Sequence, residues 1–81
     1  MNAREEEIAS EIMAAIPDIV KCVVDLNVKY RNQVIPGMSV RIGSVERAFL
    51  YWPVNWTGEA ADLIKDIGRH RAAGIFVEAA A

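Results

Sequence analysis

The residues best suited to acid–base or nucleophilic chemistry are one histidine and one cysteine, and their surroundings argue against catalysis. His70 is flanked by Arg69 and Arg71, whose charges disfavour its protonation and repel a metal ion. We expect it to be a solvated residue at a helix end. Cys22 lies in an apolar alternating run, where a thiol usually packs as a small buried hydrophobe. The sequence therefore predicts a non-enzymatic protein with no catalytic residue.

The sequence also lacks the motifs that typically bind metal ions or cofactors. Metal sites need several converging His, Cys or carboxylate ligands, whereas Glu5, Glu6 and Glu7 fit a solvated helix face. The five glycines match neither a dinucleotide-binding loop nor a P-loop. The triplet Asn55-Trp56-Thr57 matches a glycosylation acceptor, but we interpret it as the entry to a helix. We predict no cofactor and no metal ion.

The composition predicts one small globular domain over residues 1–81. Of the 81 residues, 53% are hydrophobic and 25% charged, so the chain can fold around a thin core. Its apolar stretches are far shorter than the roughly 20 residues of a membrane helix, and its acidic start differs from a secretory signal. A single cysteine excludes an internal disulfide, as is usual in cytosolic proteins. We expect a cytoplasmic protein without a membrane partner.

The first element is predicted to be a helix over about residues 3–15. Asn2 can cap this helix with Glu5 three residues later, and apolar residues then recur at helical spacing from Ile8 to Ile16. Pro17 should end it, because the residue before a proline is pushed out of the helical region.

The next segment, about residues 20–31, is predicted to be the first strand. Apolar and polar residues alternate here in types that favour sheets. A helix over 18–31 competes, since several apolar side chains from Ile19 to Tyr30 would share one face. We favour the strand because a helix would place Val24 and Val28 on its polar side.

Two further strands are expected between short reversals. Ile35-Pro36-Gly37 has the chemistry of a turn, and the alternation that follows predicts a second strand over 38–42. Gly43-Ser44 marks another reversal before a third strand over 47–52, which Pro53 should end.

The last predicted element is a helix that starts after Thr57 as its N-cap and carries an apolar stripe up to Ile67. Gly74 is the candidate cap at its other end. Residues 75–77 fit a continued helix, an edge strand or a packed tail, and the sequence does not choose among these.

These elements predict an α+β domain of order α-β-β-β-α, with a three-stranded antiparallel sheet and both helices packed on one face; a helix over 18–31 would make it α-α-β-β-α. Alternate strand residues point to opposite faces. The predicted helix-facing residues are Val24, Leu26, Val28, Tyr30, Met38, Val40, Ile42, Ala48, Leu50 and Trp52. The opposite face then has a basic, aromatic character, and its predicted partner-binding residues are Lys29, Arg31, Arg41, Arg47, Phe49 and Tyr51.

Charge is distributed unevenly along the chain. Residues 20–52 carry five cations against two anions, while the chain as a whole has a net charge of −2. A domain with this polarity can pair with its own copy or dock another protein. We therefore expect a protein-binding module of the inhibitor or adaptor type, such as phages and mobile elements encode, that acts through the sheet face or edge and can form a homodimer. Alternatively, the face is simply polar, and Phe49 and Tyr51 shield each other or pack under residues 75–77.

The competing hypothesis is a nucleic-acid-binding protein that uses the same basic, aromatic face for stacking and phosphate contacts. The α-β-β-β-α order resembles that of double-stranded RNA-binding domains. Those domains carry a basic cluster at the start of their last helix, whereas here Thr57-Gly58-Glu59 opens an acidic one. The sequence pI of about 5.3 also opposes strong phosphate affinity, so nucleic acid is the less favoured partner.

Overall fold

The computed structural model describes residues 2–52, 56 and 58–77. Two helices and three strands follow one another as α1 (Ala3–Ala15), β1 (Ile19–Tyr30), β2 (Gln33–Ile42), β3 (Val45–Leu50) and α2 (Ala60–Ala72). The strands form one antiparallel sheet in the order β1-β2-β3. The predicted α-β-β-β-α fold is confirmed, and the alternative of a helix over 18–31 is wrong.

Helix α1 begins with the capping box that its sequence predicts. Asn2 Oδ1 accepts a hydrogen bond from the Glu5 backbone N–H at 2.9 Å, and Glu5 Oε1 accepts one from the Asn2 N–H at 2.7 Å. Two N–H groups that the helix cannot satisfy internally are thus paired. Ile8 and Ile12 lie on the buried side of α1.

The core lies between the sheet and the two helices. Both helices lie on the same face of the sheet, where α1 packs on β1 and α2 packs beside α1, and their apolar side chains form one core with those of the strands. The most deeply buried of these residues are Ile8, Ile12, Val24, Val40, Leu63 and Ile67. Complete burial of such side chains contributes about 1.5–3 kcal/mol each, and the core is the main source of stability in this small domain.

The first reversal lies at Arg31-Asn32, and the predicted turn at Ile35-Pro36-Gly37 is wrong. Arg31 and Asn32 have positive φ angles of 47° and 63°, as a two-residue hairpin turn requires to match the twist of its strands. Pro36 instead lies within β2, where its carbonyl accepts a hydrogen bond from the Tyr51 N–H at 2.8 Å. Tyr51 is the residue that follows β3, so the hydrogen-bond ladder between β2 and β3 ends at Pro36. A proline, which has no N–H to donate, is tolerated at that position. The predicted second reversal at Gly43-Ser44 is confirmed.

The predicted faces of β3 are reversed. Phe49 pairs with Met38, and Arg47 pairs with Val40. Cross-strand partners point to the same face, and Met38 and Val40 belong to the core, so Arg47, Phe49 and Tyr51 point toward the helices. Ala48, Leu50 and Trp52, which were predicted to face the helices, belong to the opposite side.

Helix α2 has Glu59 as its N-cap, while the predicted cap Thr57 lies outside the described residues. After Ala72 the backbone turns through Gly74, whose φ of +81° suits glycine, and the Ile75 N–H donates to the His70 carbonyl at 3.0 Å. Phe76 then packs into the core beside Phe49, with ring centroids 6.2 Å apart. Of the three conformations considered for residues 75–77, the packed tail is the observed one.

Candidate functional site

The candidate site is the sheet face opposite the helices, which we call the uncovered face. Its residues lie in rows across the three strands, as the strand pairing defines. From one end to the other, these rows are Lys21, Arg41 and Glu46; Val23, Ser39 and Ala48; Asp25, Gly37 and Leu50; Val28 and Ile35; and Tyr30 and Gln33. In the described part of the chain, both helices pack on the other side of the sheet.

One end of this face is apolar and aromatic, and we call it the aromatic end: Val28, Tyr30, Ile35, Leu50 and Trp52. The rings of Tyr30 and Trp52 meet edge to face, with centroids 6.4 Å apart and an angle of 71°. Tyr30, Leu50 and Trp52 each keep between 37% and 41% of their surface exposed. Ile35, in contrast, is buried among them at 1% exposure although it lies outside the main core. The aromatic end is therefore a second, half-exposed hydrophobic cluster.

Gly37 lies in the middle of the uncovered face, where the neighbouring atoms leave no room for a side chain. A Cβ at this position would lie 2.9 Å from Val28 Cγ2, 3.2 Å from the Phe49 carbonyl and 3.3 Å from Leu50 Cδ2. Val28 and Leu50 thus approach each other across the bare backbone of Gly37. They line a shallow apolar depression of about 380 Å³ that also contacts Val23 and Ala48.

An irregularity in β1 places Val28 and Tyr30 on this face. The pairing of β1 with β2 steps from Asp25 opposite Gly37 to Val28 opposite Ile35, so Leu26 and Asn27 form a bulge. Such a bulge reverses the side-chain alternation beyond it. Val28 and Tyr30, predicted to face the helices, therefore lie on the uncovered face.

Glu5 supports this bulge from helix α1. The Leu26 N–H has no ladder partner in β2 and donates to Glu5 Oε2 at 2.7 Å. Hydrogen bonds from the backbone of Asn2 and Leu26 hold the pKa of the Glu5 carboxyl below its ordinary range, against the opposing effect of burial. The neighbouring Asn27 N–H donates to Asp25 Oδ1 at 2.9 Å. The backbone N–H groups of both bulge residues, Leu26 and Asn27, thus donate to side-chain oxygens.

The other end of the uncovered face is polar, and its outermost row, which we call the charged row, consists of Lys21, Arg41 and Glu46. All three are exposed. Asp25 adds a second carboxylate closer to the middle. The face therefore carries two cations and two anions.

The six residues predicted to bind a partner do not share one surface. Arg41 lies on the uncovered face, and Arg31 lies in the first turn with its guanidinium 5.3 Å from the centre of the Tyr30 ring. Lys29 and Arg47 are exposed on the helix side, since Lys29 pairs with Val34 and Arg47 with Val40. Phe49 and Tyr51 also lie on that side. The predicted basic, aromatic face is thus divided between two sides of the sheet.

Tyr51 belongs to a polar cluster that joins β3 to α2. Its hydroxyl donates to Asp66 Oδ2 at 2.7 Å, His70 Nε2 lies 3.1 Å from the same oxygen, and Arg69 donates to Asp66 Oδ1. The His70 ring stacks on Phe49 with centroids 4.4 Å apart. His70 thus lies in the last turn of α2, as predicted, but its side chain is packed on Phe49 and only 30% exposed, so it is not fully solvated.

The charges in this cluster are mutually satisfied. Burial favours a raised pKa for Asp66, but the hydrogen bonds from Tyr51 and Arg69 and the charges of His70 and Arg69 outweigh it, so the pKa lies below its ordinary value. Burial, followed by the hydrogen bond to Asp66, raises the pKa of Tyr51. A histidine with a carboxylate partner has the form of a general base. Here, however, Asp66 is already engaged by Arg69 and His70 of its own helix and by Tyr51, whose hydrogen bond links α2 to the residue that follows β3.

Cys22 is buried in the core, as predicted, and burial raises the pKa of its thiol to about 11. Among the described residues, no three His, Cys, Asp or Glu side chains are grouped so that they could hold a metal ion. Neither helix in the described ranges has the length and apolar character needed to cross a membrane.

Comparisons with known proteins identify no relative: a scan against models of protein families found no match, and searches among curated proteins and solved structures found none either.

Proposed function

We propose that this protein is a non-enzymatic protein-binding module that acts through the uncovered face of its sheet. The observation that supports the proposal is the aromatic end, where Tyr30, Leu50 and Trp52 remain 37–41% exposed beside the depression over Gly37. Clustered exposed apolar residues mark interaction surfaces, and Trp and Tyr are frequent anchors of such interfaces. A binding partner would remove this cluster from water.

The surroundings of the aromatic end also fit an interface. Its apolar residues are continuous with the small side chains of Ser39 and Ala48, and the charged row forms a polar border. An apolar centre with a polar rim is the usual anatomy of a protein–protein interface. The single, buried Cys22 fits a reducing, cytoplasmic setting, and an inhibitor or adaptor is the class of module we propose.

The nucleic-acid alternative has less support. Its candidate cations Lys29, Arg41 and Arg47 lie on two sides of the sheet, and the aromatic residues expected to stack on bases, Phe49 and Tyr51, are engaged with α2. Binding of single strands combines a continuous basic track with accessible aromatic rings. On the uncovered face, Arg31 lies beside the Tyr30 ring, but Lys21 and Arg41 lie at the opposite end, so these cations form no continuous track along the aromatic rings.

The test is affinity capture from the native host with variants at the aromatic end. The chain would carry an affinity tag and either Leu50→Ser with Trp52→Ser or the control Val34→Ser. Val34 is the matched control because it is 60% exposed and points to the other side of the sheet. Far-UV circular dichroism would confirm that both variants keep the fold.

We expect the unaltered protein and Val34→Ser to retain the same protein partner, and the Leu50→Ser, Trp52→Ser variant to lose it. Retention of the partner by all three would place the binding site elsewhere and refute the proposal.

A further inference from the structure

We propose that the outer edge of β3 binds an extended peptide segment of another protein, which adds to the sheet as a fourth strand. The order β1-β2-β3 leaves β3 at one edge of the sheet. Pairing of an extended peptide with a free sheet edge is a common mode of recognition, in which main-chain hydrogen bonds supply affinity. This edge is a different surface from the aromatic end, so the inference goes beyond the proposed function and does not rest on it.

The backbone groups of Ala48 and Leu50 point outward from this edge. The Tyr51 N–H donates to the Pro36 carbonyl in β2, and the pairing of Leu50 with Gly37 continues this register. In an antiparallel pair, residues whose N–H and C=O groups face the partner strand alternate with residues whose groups face away. The N–H and C=O groups of Ala48 and Leu50 therefore face away from β2. Over the ranges that the structure describes, neither residue has a hydrogen-bond partner on that side.

The two edges of the sheet differ in how well they are protected. At the β1 edge, the Leu26 N–H donates to Glu5 Oε2, and the bulge at Leu26-Asn27 interrupts the strand. Natural sheets use bulges, prolines and charged residues to protect their edges from further pairing. The stretch from Ala48 to Leu50 has no bulge, no proline and no charged residue. The β3 edge is therefore the one better suited to accept another strand.

A cleft beside this edge has room for the side chains of an added strand. Helix α2 packs beside α1 and leaves a cleft of about 780 Å³ between itself and β3. One wall consists of residues 48–51, and the other includes a stripe of α2 from Asp62 to His70. Consecutive residues of a strand point to opposite faces. A cleft that contacts all four of them and no residue of β2 therefore lies along the outer edge of β3.

The lining of this cleft defines the chemistry of the segment. Residues of the added strand opposite Phe49 point to the helix side, because cross-strand neighbours share a face. There the cleft offers them the polar side chains of Asp62 and Arg69 beside the stacked rings of Phe49 and His70. The segment that fits is extended, has no proline where its N–H groups face β3, and is polar where its side chains enter the cleft.

The same cleft disfavours β3 of a second copy as the added strand. In β3 the ring of Phe49 is stacked on His70 of α2, and the hydroxyl of the following Tyr51 donates to Asp66. These side chains of a second copy would be held by their own α2 and could not enter the cleft of the first copy. A segment without a covering helix keeps its side chains free. The occupant is therefore a foreign peptide.

The test starts from random linear peptides displayed on phage and selected against the unaltered protein. The most enriched peptide is synthesised as the probe, and its Kd is measured for the unaltered protein, Ala48→Pro, Ala48→Val and Trp52→Ser. Proline removes the outward N–H of Ala48 without breaking a bond to β2, whereas valine keeps that N–H. We expect Ala48→Pro to raise the Kd by about tenfold or more. Ala48→Val and Trp52→Ser should leave the Kd unchanged.

A second measurement does not depend on the folding of a variant. Methylation of the backbone nitrogens of the probe, one residue at a time, removes one N–H from each peptide. We expect every second methylation within the bound stretch to raise the Kd by about tenfold or more, because alternate N–H groups of an added strand face β3. A probe whose affinity shows no such alternation would overturn the proposal.

Three other results would also overturn the fourth strand. If no peptide is enriched, or if Ala48→Pro and Ala48→Val bind the probe equally, the edge does not accept a segment. Loss of the probe in Trp52→Ser would place the peptide on the uncovered face, which would support the proposed function and refute this inference. A dimer in sedimentation velocity that Ala48→Pro dissociates would show that a second copy occupies the edge, and would refute the foreign peptide.

Discussion

Glu5 in α1 accepts a hydrogen bond from the backbone N–H of Leu26 in β1, with 2.7 Å between Oε2 and the nitrogen. The other oxygen of the same carboxylate completes the N-terminal cap of α1. One acidic side chain thus fixes both the start of the first helix and the bulge in the first strand. Because the bulge turns Val28 and Tyr30 to the uncovered face, the candidate site depends on a contact made on the opposite side of the sheet.

Glu5→Gln should destabilise the protein in a pH-dependent manner. A glutamine would place an NH2 group against one of the two N–H donors, and that donor would lose its acceptor. Because folding lowers the pKa of Glu5, its stabilising effect is present above the ordinary carboxyl value of 4.5 and is lost as the pH falls through the folded pKa. Urea unfolding of both proteins from pH 7 to pH 2 should show a gap that narrows in acid. A gap that stays constant would contradict this role of the charge.

Gly37→Ala should destabilise the domain by about 1–3 kcal/mol, because the added Cβ would overlap Val28 and crowd the Phe49 carbonyl. Gly68→Ala is the matched control. Gly68 lies within α2, and a Cβ there would meet nothing within 4 Å. Because alanine favours a helix over glycine, this change should stabilise the domain by about 0.5–1 kcal/mol. Thermal unfolding measures both effects, and equal stability of the two variants would show that the uncovered face is not closely packed over Gly37.

Tyr51→Phe should raise the pKa of Asp66 and destabilise the protein by about 1.5–3 kcal/mol, since it removes a hydrogen bond to a charged, largely buried carboxylate. NMR titration of the Asp66 side chain would follow the pKa directly. Tyr30→Phe serves as the control, because Tyr30 lies on the uncovered face. If the Asp66 pKa responded no more to Tyr51→Phe than to Tyr30→Phe, the cluster would not be assembled as described.

Cys22 should react with thiol reagents far more slowly in the folded protein than in the unfolded chain. Burial shields the sulfur, and a pKa of about 11 leaves little thiolate at pH 8. The rate of modification by a chromogenic disulfide, measured with and without denaturant, checks this. Equal rates of modification with and without denaturant would mean that Cys22 is accessible to the reagent in the folded protein and is not buried between the sheet and the helices.

The helices and the strand content follow from local patterns that the sequence displays. Asn2 and Glu5 form their capping box within four residues, and the alternation in β1 opposes a helix. These features depend on neighbours in the chain, so they can be predicted without tertiary information.

The faces of the sheet depend on pairing, which the alternation alone does not determine. The run from Arg47 to Trp52 has apolar residues at both parities, so either Phe49 and Tyr51 or Leu50 and Trp52 could face the core. The bulge at Leu26-Asn27 then reverses part of β1, and its support is a glutamate distant in sequence. A proline inside β2 also resembles a turn until its position opposite Tyr51 is known. The candidate site could therefore not be predicted from the sequence.

The most direct test of a protein partner on the uncovered face is site-specific photo-crosslinking in the native host. A benzophenone amino acid would replace Trp52 in one variant and Val34, on the other side of the sheet, in a second. We predict a discrete crosslinked protein adduct from position 52, whether to a second copy or to another protein, and none from position 34. Adducts from position 34 alone, or from neither position, would contradict the assignment of this face as the binding surface.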